Sequence, residues 1–247
     1  MERPKIDVWS GRDGLDVLVF LASSTQMERA LIIGASGGIG SALAAGLREK
    51  DVEVTELSRS RDGVDVTDEA SVAAALGALE EPYSKIIVAT GALEIAGAAP
   101  EKSIGDWSSA AMLNQLALNA VGPAMVLKHA LPLLPKSDRS ILAVLSARVG
   151  SIGDNRLGGW VSYRAAKAAV NQVVRTCAVE LARTHKEAIC VALHPGTVAT
   201  DFTRKYLGRH PAVAPAEAAE NLLRVMDRLT LADSGGFFDW AGEVVPW

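Results

Sequence analysis

A doubly wound parallel α/β sheet in a single domain is predicted by three observations on the 247-residue sequence. Short apolar runs alternate with segments of helical period, a glycine cluster follows the first of these runs, and no linker, internal repeat or low-complexity tract divides the chain. Strand-helix-strand units of this kind pack as a parallel sheet with helices on both faces, because their crossovers are right-handed and each helix covers the sheet. With 49% hydrophobic and 22% charged residues, the composition supplies a core for one such domain.

The first strand is Ala30-Leu31-Ile32-Ile33, an apolar run that stops at glycine as a buried parallel strand does. Ile39, Leu43 and Leu47 recur every fourth residue and predict the first helix. Strands are expected at residues 52–57, 85–89, 140–145 and 188–193, and a final edge strand at 235–240. Between them fall an alanine-rich helix ending near residue 79, a long helix over 106–131 and another over 163–184. Residues 1–29 exceed what the domain, residues 30–247, needs. They are expected to form a disordered extension or an added strand on Val17-Leu18-Val19-Phe20, with Met27 as an alternative start.

The net charge of −4 gives no reason to expect a clustered basic surface, so neither nucleic acid nor a membrane is expected as a partner. The apolar stretch over residues 15–22 is too short to span a bilayer and lacks the flanks of a secretory signal, which leaves the cytoplasm as the expected location. Cys177 and Cys190 form no CxxC pair, and His129, His185, His194 and His210 show no ligand spacing. No disulfide framework and no metal are expected.

The run Gly34-Ala35-Ser36-Gly37-Gly38-Ile39-Gly40 lies between the first strand and the first helix, where the Rossmann fold turns its backbone close to a pyrophosphate. The helix that follows offers unpaired N–H groups and the positive end of its dipole to phosphate. The second strand ends Glu56-Leu57-Ser58-Arg59. An Arg there pairs with a 2′-phosphate, so Arg59 favours NADP(H), while Glu56 would argue for NAD(H) in a shifted register. Asp65 and Val66 look like an adenine-holding pair, and Gly91 lets its loop approach the ribose without a Cβ.

Tyr163 and Lys167 stand four residues apart at a helix start and so project from one face. A neighbouring ammonium favours the phenolate and is expected to lower the Tyr163 pKa, while Lys167 can also bond the nicotinamide ribose. Tyr163 would then protonate a carbonyl oxygen as hydride arrives, or deprotonate an alcohol in reverse.

In this order, the glycine turn, Asp65-Val66, Asn119, Ser146, the Tyr163/Lys167 pair and Pro195-Gly196 resemble the short-chain dehydrogenase/reductase family across residues 30–240. The stretches Leu145-Ser146-Ala147-Arg148-Val149-Gly150-Ser151-Ile152 and Gly158-Gly159-Trp160-Val161-Ser162-Tyr163-Arg164, with the ending Phe237-Phe238-Asp239-Trp240, are most similar to its subgroup of C-factor signalling proteins and small carbonyl reductases. The resemblance implies that Asn119 binds a water linking Lys167 to solvent. It implies that Pro195 and Gly196 border the nicotinamide, with Val198 main chain near its carboxamide and Thr200 near a phosphate. It also implies a homodimer, or a homotetramer, built through the two long helices. The loop over 196–215, with Phe202, Tyr206 and Leu207, is expected to lie over a small carbonyl or alcohol substrate. The competing expectation is a C-factor-like regulatory protein with weak catalysis, and a dehydratase or epimerase could use the same pair.

Three features depart from the family pattern. Val88-Ala89-Thr90-Gly91 stands where the family shows Asn-Asn-Ala-Gly, Ile33 replaces a Thr, and Ala147 stands where a Ser bonds the substrate oxygen. Ser146 is the neighbouring hydroxyl, on the opposite face of an extended strand, and Ser151 is the other candidate.

Overall fold

The computed structural model describes residues 28–80, 82–201, 203–207 and 211–247. Residues 1–27 of the N-terminal extension, with the candidate strand, and Phe202 lie outside the described residues, while Arg29, placed in the extension by the sequence, opens the first strand of the sheet. The six strands are β1 (Arg29–Ile33), β2 (Glu53–Leu57), β3 (Lys85–Val88), β4 (Ser140–Leu145), β5 (Ala188–His194) and β6 (Phe237–Asp239). They form one sheet in the order β2-β1-β3-β4-β5-β6, and every neighbouring pair is parallel. The chain leaves β1 toward β2 and returns to β3 on its other side, so the order reverses at β1. A crevice outside the carboxyl ends of β1 and β3 is where such sheets bind ligands.

Alternation along the strands sends residues to two separate cores. Leu31, Ile33, Ile86, Val88, Leu142 and Val144 meet Val126, Leu127, Val170 and Val174 on one face. Ala30, Ile32, Ile87, Ile141, Ile189 and Val191 meet Leu43, Leu47, Leu222 and Met226 on the other. The helices are α1 (Gly38–Arg48), α2 (Arg59–Asp62), α3 (Glu69–Gly77), α4 (Ser109–Leu116), α5 (Gly122–Ala130), α6 (Val161–Thr184) and α7 (Pro215–Arg228).

The helix expected over residues 106–131 differs in two respects. It starts at Ser109, because Asp106 caps a preceding turn through Ser103 and Ser108 caps α4 by accepting from the Ala111 N–H. A π-turn over Ala117–Val121 then separates α4 from α5. The whole Ser109–Leu133 segment is long and apolar enough to cross a bilayer, and its buried side instead packs on α6, α3 and β3. The edge strand is shorter than residues 235–240, since Gly235 takes a positive φ of 82° in the turn before it. Helix α7 was not among the expected elements. Pro215 at its first turn and Ala218, Leu222, Val225 and Met226 at helical spacing were its signal, and it lies against α1.

Candidate active site

At the carboxyl end of β1, Gly34 has φ +94°, and a Cβ there would stand 2.8 Å from the Ala89 carbonyl carbon and 2.9 Å from the Thr90 nitrogen. The turn and the β3 loop therefore meet backbone to backbone. A Cβ on Gly40 would collide with the Gly34 carbonyl oxygen, and one on Gly38 would stand 2.7 Å from Thr200 Cγ2. Gly37 caps α1 without a side chain, leaving the first helical N–H groups of Gly38, Ile39 and Gly40 for an outside acceptor. Ser36 is exposed beside them. The Thr90 hydroxyl, buried at the same junction, has no hydrogen-bond partner among the described residues. A cradle closed to side chains, with free N–H donors and an unspent hydroxyl, fits the diphosphate and ribose of a nicotinamide dinucleotide.

Arg59 opens α2, is exposed, and has no ion pair among the described residues. Glu56 is held between Arg48 at 2.6 Å and Arg61 at 2.9 Å. Asp65 accepts from the Thr67 hydroxyl at 2.7 Å and the Thr67 N–H at 2.9 Å, which together hold its carboxyl below the usual range. Val66 is buried against α5, where a Cβ on Gly122 would stand 2.9 Å from Val66 Cγ2.

Helix α6 carries Tyr163 and Lys167 one turn apart on its buried face, with Ala166 and Val170. Lys167 Nζ donates to the Leu145 carbonyl at 2.9 Å and lies 5.8 Å from the centre of the Tyr163 ring. Burial pushes the Lys167 ammonium down to about 8. It pushes the Tyr163 phenol up, the reverse of the lowering expected from its neighbour: desolvation of the phenolate outweighs a cation at this separation.

Asn119 is fully buried in the π-turn. Its Oδ1 accepts from the Ala92 N–H at 3.2 Å, while Nδ2 donates to the Ala92 carbonyl at 2.9 Å and to Gln115 Oε1 at 2.6 Å. The structure thus brings Asn119, Gly91 and Lys167 to one point beside the β3 loop. Ser146 points elsewhere: its buried hydroxyl donates to Asn171 Oδ1 at 2.5 Å. The Ser151 hydroxyl accepts from the Asp154 N–H at 3.0 Å. Both candidate hydroxyls have structural partners, and Ala147 occupies the half-exposed position between them.

Pro195 and Gly196 follow β5, and Gly196 packs under the Trp240 ring, 3.0 Å from where its Cβ would be. Val198 is buried and bridges to Val213. Burial holds His194, just before this loop, down to about 4 and therefore neutral. Three residues of the site had no recognised motif. Gln115 holds Asn119, Glu101 binds Ser162 at the start of α6, and Arg164 ties the preceding turn. For Gln115 the signal was its four-residue spacing from Asn119 on one helix.

The family model described as enoyl-(acyl carrier protein) reductase matches residues 34–237. The chain belongs to the short-chain dehydrogenase/reductase family. This oxidoreductase is 31% identical over 234 residues to 1-hydroxy-2-glutathionyl-2-methyl-3-butene dehydrogenase of Rhodococcus sp. (strain AD45), covering 90% of this chain and all of that one. It is 37% identical over 146 residues to C-signal of Myxococcus xanthus, covering 59% of this chain and 84% of that one. The NADPH-bound carbonyl reductase from chicken fatty liver superposes with a TM-score of 0.77 at 24% identity, over 90% of this chain and 94% of that one. That likeness establishes the shared fold.

Proposed function

We propose that this family member is an NADPH-dependent carbonyl reductase, working in reverse as an alcohol dehydrogenase, with Tyr163 and Lys167 as its acid/base pair. The observation that carries the reading is the burial of both groups on one helix face, with Lys167 Nζ beside the Gly91 loop that the glycine turn meets. The Gly34–Gly40 turn would hold NADPH by its diphosphate, and the cofactor would supply hydride for the carbonyl carbon. Tyr163, kept neutral by burial, donates its phenolic proton to the carbonyl oxygen. Lys167, fixed by the Leu145 carbonyl, presents positive charge to the phenolate that results, and Asn119 holds the β3 loop against it. Arg59 would select the 2′-phosphate.

Steady-state NADPH oxidation over a panel of ketones and aldehydes tests this. Tyr163→Phe is expected to lose on the order of 10²–10⁴-fold in kcat. Turnover equal to that of the unsubstituted enzyme would sink the assignment.

A second reading, a nucleotide-binding regulator with weak catalysis, is supported by Ala147 and by the engagement of Ser146 and Ser151. Similarity to C-signal adds to it. Biological activity that survives Lys167→Met would favour it. In the first reading the protein acts in the cytoplasm on a small carbonyl or alcohol, without nucleic acid or membrane, whereas secretion or surface exposure would favour the second. The assembly is a homodimer or homotetramer, supported by the exposed Leu113, Val121 and Val179 on the long helices and checked by sedimentation.

A further inference from the structure

Three consecutive residues before the Tyr163 helix, Gly158, Gly159 and Trp160, lie in the left-handed region, with φ of +63°, +66° and +53°. Glycine takes this conformation without strain. Tryptophan does not, and such residues persist where their surroundings over-determine them.

Here the surroundings do so from two sides. The Arg164 guanidinium donates to the Gly159 carbonyl at 2.9 Å, the Gly158 carbonyl at 3.0 Å and the Val149 carbonyl at 3.2 Å. The Trp160 N–H donates to the Glu101 carbonyl at 2.6 Å. The buried Glu101 carboxylate in turn accepts from the Ser162 N–H and hydroxyl, capping α6 from a distant loop. Trp160 itself supplies no side-chain cap.

This strained turn aims the indole at the reacting phenol. Its ring meets Tyr163 edge-on, with centroids 6.5 Å apart and planes at 69°. It also meets Tyr206 edge-on, at 5.6 Å and 77°. Tyr206 is fixed in its turn: its hydroxyl donates to Glu94 Oε1 at 2.5 Å, and Lys205 Nζ reaches Glu94 Oε2 at 2.8 Å. Three elements distant in sequence are thus joined into one aromatic wall beside Tyr163. The indole is only partly buried, so it keeps surface for a further partner.

We propose that Trp160, with Tyr206, is the specificity-determining wall of the substrate pocket, and that it selects carbonyls bearing a flat aryl or conjugated substituent. Aromatic rings prefer offset and edge-to-face partners, which a rigid Trp-Tyr pair offers at no ordering loss. The proposal rests on Tyr163 acting at the carbonyl oxygen, since only then does the wall flank the reacting group.

The test compares acetophenone with butan-2-one as substrates for the full-length enzyme and NADPH. Trp160→Ala is expected to lower kcat/KM for acetophenone on the order of tenfold or more relative to butan-2-one, with Trp160→Phe retaining most of the preference. Tyr206→Ala, on an outer loop where truncation leaves the core intact, should lower the same ratio. Calorimetric binding of acetophenone to enzyme holding oxidised cofactor, where no hydride moves, should weaken in parallel. An unchanged acetophenone-to-butanone ratio in Trp160→Ala and Tyr206→Ala would overturn the proposal. Full activity of Tyr163→Phe on both ketones would instead overturn the acid/base reading beneath it.

Discussion

A Cβ on Gly91 would stand 2.7 Å from Asn119 Oδ1 and 3.6 Å from Lys167 Nζ. The β3 loop, the π-turn and α6 therefore converge on one glycine, whose φ of +151° also disfavours a side chain. Gly91→Ala should displace Asn119 from its bonds to Ala92, destabilise the fold by about 1–3 kcal/mol and lower kcat. Chemical denaturation and steady-state kinetics together check this. Unchanged values for both would mean that the three elements are not coupled.

Lys167 gives stability a pH dependence of definite sign. Burial holds its folded pKa near 8, against 10.5 for the ordinary side chain. Between those pH values the unfolded chain binds more protons than the folded one, so stability rises with pH. Below pH 8 the full penalty stands, on the order of 3 kcal/mol. Tyr163 acts oppositely only above pH 10, where the folded state keeps a proton that the unfolded chain loses. Denaturation midpoints from pH 7 to 10 should climb less in Lys167→Met than in the unsubstituted protein. Parallel curves would contradict the assignment.

What could be read from the sequence was what is local. The strands declare themselves because both of their faces are buried, which makes Leu31-Ile32-Ile33 and Ile86-Ile87-Val88 unbroken apolar runs. Tyr163 and Lys167 are legible because their relation is one helical turn. The setting of Asn119 in the π-turn is not local, since its side chain bonds Ala92 in a loop 27 residues earlier. Glu101 was invisible for the same reason: it meets Ser162 across 61 residues. The upward direction of the Tyr163 pKa is not legible in the sequence, because desolvation depends on packing, which no spacing rule carries.

Cofactor choice should depend on Arg59. With Glu56 neutralised between Arg48 and Arg61, the end of β2 presents no spare carboxylate for a 2′-hydroxyl. Charge-assisted hydrogen bonds contribute about 1.5–3 kcal/mol, so Arg59→Ala is expected to weaken NADPH binding roughly ten- to a hundredfold. NADH affinity should stay nearly constant. Calorimetric titration with each cofactor separates the outcomes, and an equal loss for both would remove Arg59 from the phosphate site.

The missing substrate hydroxyl can be restored. Ser146 is buried against Asn171 while Ala147 is half exposed, as expected of adjacent residues on an extended backbone, so a serine at position 147 would lie on the other side from Ser146. One hydrogen bond to developing negative charge contributes about 2.7–4 kcal/mol to the barrier where its geometry is right. Ala147→Ser should therefore raise kcat by at least roughly tenfold, with stability changed by no more than about 0.5 kcal/mol. Ser146→Ala should do the reverse, leaving Asn171 Oδ1 without its buried donor and lowering stability by about 1–3 kcal/mol while kcat per folded enzyme holds. If Ser146→Ala instead abolishes turnover at unchanged stability, and Ala147→Ser gains nothing, then Ser146 must leave Asn171 when substrate binds and serve the carbonyl itself.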